Sequence, residues 1–296
     1  AFYNLKGTLG AGAVDISWGS DGNKMYSPIK ASTMAIDFMV TDIKAATYIK
    51  QLRTDRAERD VYVYLYCTGN THTIQAGESP IFAGYLLMDL ADDPDIPLPY
   101  NMRLKAVDGI AALKYYDLIP SGVSQQANNL YDVQNTFIPD SANPAGQYDL
   151  FYTFITWLSR ILHYTGYATT TKGCKTNAEI QTSCNWFNGD MPNTSGDPLA
   201  WSRIKADKFY AVEGETGDLK WKPLTCYDAL AAICETWGMR CFAYKNTFYF
   251  ISINHYTDNN SGTLAAPVNI DYHRYNIDGT AATTASGESL DLKWGR

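Results

Sequence analysis

Histidine is scarce in this chain. Its four copies, His72, His163, His255 and His273, are dispersed, and none has another at i+4. That spacing excludes a His-x-x-x-His zinc helix and leaves no histidine identifiable as a triad base. Basic clusters are missing too: the net charge is −7 and no stretch gathers Lys and Arg on one face, which disfavours a sequence-specific nucleic-acid partner. No apolar run reaches the roughly 18 residues of a helical membrane span, so no stable membrane insertion is expected. The opening AFYNLKGTLG has neither the basic n-region nor the apolar h-region of a secretory signal. The expectation is a soluble, non-secretory protein. The chain starts without Met and stops at LDLKWGR, as expected of a portion of a longer polypeptide.

Paired cysteines are also lacking. Cys67, Cys174, Cys184, Cys226, Cys234 and Cys241 are scattered in a chain too long to need stapling, so reduced thiols are expected, with Cys174 and Cys184 the best candidates for a pair. Zinc ligands come in pairs about two to four residues apart, whereas Cys226, Cys234 and Cys241 are eight and seven apart. Cys234 instead shares one helical face with Leu230, Ile233 and Trp237. Nothing basic stands beside Cys226 or Cys234 to favour a thiolate, so these are read as structural thiols.

The segment around them has a strong local signature. Thr225 is an N-cap with Asp228 three residues on, Gly238 is placed to end the helix, and the helix is expected over 226–237. Aromatic and β-branched runs at 240–244 and 247–253 flank Lys245-Asn246, a two-residue hairpin turn.

Elsewhere, residues 1–118 read as β-rich. Ser32, Met34, Ile36, Phe38 and Val40 alternate with partners of another character, and in RDVYVYLYC the residues Val61, Val63, Leu65 and Cys67 oppose Tyr62, Tyr64 and Tyr66. Further strands are expected at 81–90 and 100–107, after which Asp108 caps a short helix. Residues 119–147, rich in Gln, Asn, Pro, Ser and Gly, form a linker or crossing loop. An amphipathic helix is expected at 148–165 through Leu150, Phe151, Phe154, Ile155, Leu158, Ile161 and Leu162, and a short one near 199–204. The α+β region is bounded at 148–257, with 258–296 an extended, polar C-terminal segment that is loop-like or ordered by a partner.

Candidate sites each have a plain alternative. The cluster Asp89, Asp92, Asp93 and Asp95 lacks the central Gly and closing Glu of a calcium loop and reads as a solvated turn. The loop bearing Asn188, Asp190, Asn193 and Asp197 reads as turns. Gly7, Gly10 and Gly12 do not spell a dinucleotide pattern, and Pro28 in SPIK stands where a catalytic helix would start. A carboxylate pair for glycoside cleavage is set by spatial separation, which spacing along the chain does not encode.

Three ordered segments carry a resemblance: YSPIKASTMAIDFMV, then IFAGYLLMDL with PLPYNMRLKAVDGIAALKYY, then KPLTCYDALAAICETWGMRCFAYKNTFYFI. They resemble tail proteins of bacteriophages, especially of Bacteroidetes-type hosts, related to baseplate or tail-tip hub proteins. The matching positions run from Ser32 to Ile36, Gly84 to Leu86, Leu104 to Leu113 and Tyr227 to Ile251, over about two thirds of the chain; 168–224 and the tail after Asp258 depart from the pattern. The resemblance implies an α+β fold in which a tail-tube-like β-barrel or sandwich domain precedes a helix-bearing β domain. It implies a virion protein rather than an enzyme, without cofactor or metal. Its copies would form a ring, trimeric or hexameric, docked on other tail and baseplate proteins around the DNA path. The outward face of Tyr62, Tyr64 and Tyr66 is the candidate interface, since tyrosine joins apolar area to a polar tip. A carbohydrate-binding or adhesin module and a tail-associated hydrolase are the alternative readings.

Overall fold

A computed structural model describes residues 8–19, 27–44, 46–47, 50–51, 61–66, 80–92, 97–118, 151–165, 178–184, 197–213, 220–253, 268–282 and 288–292. The strands are β1 (Thr8–Gly19), β2 (Ile29–Val40), β3 (Tyr62–Leu65), β4 (Phe82–Asp92), β5 (Tyr100–Val107), β6 (Phe151–Thr153), β7 (Glu179–Ser183), β8 (Arg203–Lys205), β9 (Tyr210–Glu213), β10 (Lys220–Pro223), β11 (Met239–Tyr244), β12 (Thr247–Ser252), β13 (Val268–Asn276) and β14 (Glu288–Leu292). Ten of them form one mixed sheet in the order β14-β13-β7-β12-β11-β2-β5-β4-β3, with β1 attached to β2. The architecture is α+β.

The sheet corrects the barrel form of the expected β-barrel or sandwich domain. Its antiparallel part, β1-β2-β5-β4-β3, ends at β3 among the described residues. Instead of closing there, the sheet continues through β2, whose first residues pair in parallel with β11, Ile29 with Cys241 and Lys30 with Phe242. At 12 residues β2 is long enough to give its start to β11 and the rest to β1 and β5.

Period-two alternation builds the core of the antiparallel part. Tyr100, Met102, Leu104 and Ala106 are buried while Asn101, Arg103 and Lys105 are exposed, and the buried set packs with Met34, Val40, Phe82 and Leu86. Val61, Val63 and Leu65 pack against the same clusters, as the two-faced reading of this stretch anticipates. A larger core lies where the helices Phe154–His163 and Cys226–Thr236 cover β7, β12 and β11, through Trp157, Leu158, Ile161, Leu230, Ile233 and Cys234 against Ile180, Phe248 and Phe250. Full burial of each such aliphatic or aromatic side chain contributes about 1.5–3 kcal/mol. Ile29, Ile110, Leu113 and Leu118 belong to this second core, so packing crosses the expected boundary at 118; the linker 119–147 lies outside the described residues.

Several element ends differ from expectation. The helix expected over 148–165 spans Phe154–His163, because residues 151–153 pair with β8 and Thr153 then caps the helix by accepting from Thr156 N at 3.2 Å. The helix expected near 199–204 is Pro198–Trp201, since β8 takes the chain from Arg203. In the C-terminal segment β13 and β14 are strands, and β13 is held antiparallel to β7 of the same chain. The capped helix and its hairpin follow the sequence closely. Thr225 accepts from Asp228 N at 3.1 Å, and its hydroxyl donates to Asp228 Oδ2 at 2.8 Å. Gly238 takes a positive φ of 58° after the helix, while Lys245 (48°) and Asn246 (60°) make the tight turn from β11 to β12.

Candidate functional site

The three segments that carry the resemblance meet at one joint. Asp108, fully buried at the end of β5, accepts through Oδ1 from Ile110 N (3.1 Å) and Ala111 N (3.3 Å), capping the helix Gly109–Ala112. Its Oδ2 accepts from Ser32 N (2.5 Å) and Ser32 Oγ (2.9 Å) on β2. Burial pushes its carboxyl up to about 6, against the opposing pull of these four donors. Cys241 of β11 lies near enough for the Asp108 charge to raise its thiol further, although burial is the larger cause.

Two glycines are required here by close approach. A Cβ at Gly109 would stand 2.6 Å from Thr165 O, and one at Gly84 would stand 2.3 Å from Val107 O. Thr165, at the end of the Phe154–His163 helix, also accepts a short hydrogen bond from Tyr85 Oη. Gly109 and the Tyr85 hydroxyl therefore lock sheet to helix, while Gly84 lets β4 approach β5 closely, which gives these motif residues a structural reason.

On the face of β2-β5-β4 opposite the first core, a cleft of about 450 Å³ opens between sheet and helices. Its floor is Ala31, Thr33, Val107 and Leu87, and its walls carry Tyr85, Tyr227 and Tyr115. Tyr115 is 82% exposed at the mouth, and the Lys114 ammonium lies 4.6 Å from the Tyr227 ring centre. The strand register sets the rows of this face: Thr33, Val107 and Tyr85 align, then Ala35, Lys105 and Leu87. The volume falls within the range of about 300–1,000 Å³ common to ligand pockets.

Tyr62 and Tyr64 of β3 continue the same face. The Tyr62 ring stacks on Tyr64 at 6.5 Å and tilts against Tyr85 at 4.7 Å. Tyr62, Tyr64 and Tyr66 are half-buried, and Tyr62, against Tyr85 of the cleft wall, adjoins the cleft. The cleft draws residues from 19 to 227, and no local motif announces it.

The remaining candidates are placed as follows. Cys226, Cys234 and Cys241 are buried free thiols, and burial raises all three, Cys226 to about 12. Cys184 is buried after β7, while Cys67 and Cys174 lie outside the described residues. Among the described residues no cluster of His, Cys, Asp and Glu could hold a metal ion. His163 is exposed at a helix end and His273 is half-buried on β13; His72 and His255 lie outside the described residues. Asp89 and Asp92 belong to the backbone of β4 rather than a turn, and Asp93 and Asp95 lie outside the described residues. Gly10 and Gly12 lie within β1, and Gly7 lies outside the described residues.

Asp197 departs furthest from its reading as a loop residue; Asn188, Asp190 and Asn193 lie outside the described residues. It is 3% exposed and accepts from Leu199 N at 2.9 Å, from Tyr275 Oη at 2.9 Å and, in a short bond, from Thr182 Oγ1. Burial first, then the Asp197 charge, holds the Tyr275 phenol well above its usual range, so it remains a donor. Both carboxylate oxygens are occupied by protein donors, which makes Asp197 a cap and strand tie.

No family model, curated protein or solved structure matches the chain.

Proposed function

We propose that this chain is a structural virion protein, a subunit of a ring at the tail tip or baseplate hub of a tailed bacteriophage. Its partners are its own copies, as trimer or hexamer, and neighbouring tail and baseplate proteins around the DNA path. In this reading the sheet β1-β2-β5-β4-β3 is an opened tail-tube-like unit, and the chain works by assembly rather than catalysis. The single observation that carries the proposal is the joint. Ser32 of the first segment is hydrogen-bonded in the core to Asp108 of the second, and β11 of the third pairs with the start of the same strand β2. Convergence of all three supports a shared architecture over a chance likeness of separate strands. The net charge of −7 is compatible with a wall past which phosphate must slide rather than bind.

The experiment is to change Tyr62, Tyr64 and Tyr66 together to Ser and measure folding and incorporation into tail particles. The variant is expected to stay largely folded, because Val63 and Leu65 still pack on the opposite face, and to fail to enter tails. A wild-type chain absent from native tail particles, seen by imaging the assembly, removes the proposal.

A further inference from the structure

The long strand β1 is covered on one edge. Among the described residues it pairs with β2 and with no other strand. Two bonds fix which of its backbone groups face outward. Ser32 N donates to Asp108 Oδ2, and Ser32 O accepts from Asp108 N at 3.0 Å. Asp108 follows β5, so both backbone groups of Ser32 point to the β5 side of β2. Backbone groups alternate sides along a strand, so those of Ala31, Thr33 and Ala35 point to β1 and meet Gly19, Ser17 and Asp15. The N–H and C=O groups of Val14, Ile16 and Trp18 are then turned to the outer edge, where no described strand meets them.

This edge carries few of the devices that protect one. After the register break between Leu9 and Val14, the stretch VDISWG at 14–19 has no proline, no lysine and no bulge. Six residues offer roughly 20 Å of edge. Val14 and Ile16 pack against the Met34 cluster yet stay half-buried, and Trp18, next on that face, is 43% exposed. The one charge, exposed Asp15, lies on the other face beside exposed Ser17. Ladder groups beside a half-covered apolar row select an extended strand of the same alternation. β1 itself is such a strand.

We infer that β1 pairs antiparallel with β1 of a second copy, about a two-fold axis at Ile16, so that one sheet runs through both chains. This register uses all three outward residues, Ile16 against Ile16 and Val14 against Trp18 in both directions. It also sets Asp15 of each copy opposite Ser17 of the other. The Ser17 hydroxyl, 2.8 Å from Thr33 Oγ1, can accept there and donate to that carboxylate. An axis at Asp15 would oppose the two carboxylates, and an axis at Ser17 would carry Val14 past the end of the strand at Gly19. The contact is isologous and closes at two copies, so it goes beyond the ring reading above and stands without it.

Sedimentation equilibrium of the full chain over a concentration series tests the contact. One strand from each copy makes a small interface, so wild type is expected as monomer and dimer in exchange. Ile16→Pro deletes an outward N–H in each copy and spares the inner ladder, as proline on an edge strand can. It is expected to weaken dimerisation about tenfold or more. Ser17→Asp, which opposes two carboxylate pairs, is expected to weaken it about threefold or more at low salt, and Ser17→Lys, which makes two opposite-charge pairs, to strengthen it. Both change only an exposed side chain, so they decide the question if Ile16→Pro does not fold.

A wild type that is monomeric at every concentration, undiminished dimerisation of folded Ile16→Pro, or effects of the same sign from the two Ser17 changes overturns the inference. So does an unrelated alternating peptide that docks along β1 of a monomeric chain, read as chemical-shift changes at Val14, Ile16 and Trp18, since the occupant is then a foreign strand. The two proposals fail separately. Dimerisation through β1 by a chain absent from tails supports the pair and removes only the hub reading.

Discussion

Asp108 and Asp197 are the same device used at two places in one sheet. Each precedes a four-residue helix and caps it, each is buried, and each accepts a hydroxyl hydrogen from a strand: Ser32 on β2 and Thr182 on β7. They differ in the remaining donor. Asp108 takes the backbone N–H of Ser32, whereas Asp197 takes the phenol of Tyr275 on β13. The first joins residues 76 apart and the second residues 78 apart, so both are long-range ties. Asp108 ties its own cap to the backbone and hydroxyl of Ser32, while Asp197 ties its cap to the hydroxyls of Thr182 and Tyr275. A cap costs little to remove when water can replace it, but a buried hydroxyl stripped of its acceptor pays its full desolvation.

The two losses are expected to be alike in size and unlike in place. Asp197→Ala leaves Thr182 and Tyr275 without their acceptor at roughly 1–3 kcal/mol each and removes a cap worth about 1, so a loss of about 4 kcal/mol is expected in urea or thermal unfolding. Asp108→Ala strands the Ser32 hydroxyl and N–H at roughly 1–3 kcal/mol each and also removes a cap worth about 1, so a loss of about 4 kcal/mol is expected here too. A loss at either site of under about 1 kcal/mol, that of a cap alone, breaks the comparison. Loosening of β13, read by hydrogen exchange at Tyr275 and its neighbours, should accompany the Asp197 change alone.

A second expectation concerns pH. Burial raises the Asp108 carboxyl from 3.8 to about 6. Between those values the folded chain holds a proton that the unfolded chain has released. The stabilising contribution is therefore complete below about pH 3.8 and is lost as pH rises through about 6. It amounts to a few kcal/mol, on the order of 3. Asp108→Asn, which cannot ionise, should not show this decline, so the wild-type minus variant stability should fall across the window and level above it. A difference that stays constant from pH 4 to 7 would show that the four donors outweigh burial and that Asp108 folds as an ordinary anion.

The sequence made one of these aspartates readable and hid the other. At Asp108 the signal is local: an alternating strand stops, Asp-Gly follows, and an apolar helical turn begins. The helix Cys226–Thr236 and its hairpin were readable for the same reason, with Thr225, Gly238 and Lys245-Asn246 acting over neighbouring residues. At Asp197 the partners come from β7 and β13, and neither strand advertises itself. β7 buries Gln181, Thr182 and Ser183 in succession, which erases alternation, and β13 lies in a polar segment ordered by pairing with β7. The N-terminal end of the Phe154–His163 helix was misplaced because Phe151 continues its apolar spacing, yet pairing with β8 claims that residue. The cleft was invisible because residues 19 and 227 meet only after the whole sheet has formed.

The smallest expected effect falls on the cysteines. Cys234→Ala removes one sulfur from a packed face shared with Leu230, Ile233 and Met239, and it strands no polar partner. The loss is then one of packing and cavity alone, about 1–2 kcal/mol, well below that at Asp197, although both sites are buried. The thiol lies in a site that burial, then the nearby Glu235 charge, makes hostile to a thiolate. A thiol reagent at pH 8 should therefore modify Cys234 only as fast as the protein opens, because the reacting species is the thiolate. Prompt modification in the folded state, or stoichiometric zinc in the purified protein that Cys234→Ala releases, would make these residues a site. A modest loss with slow modification keeps them as core atoms and leaves the buried aspartates as the points where a single side chain governs the sheet.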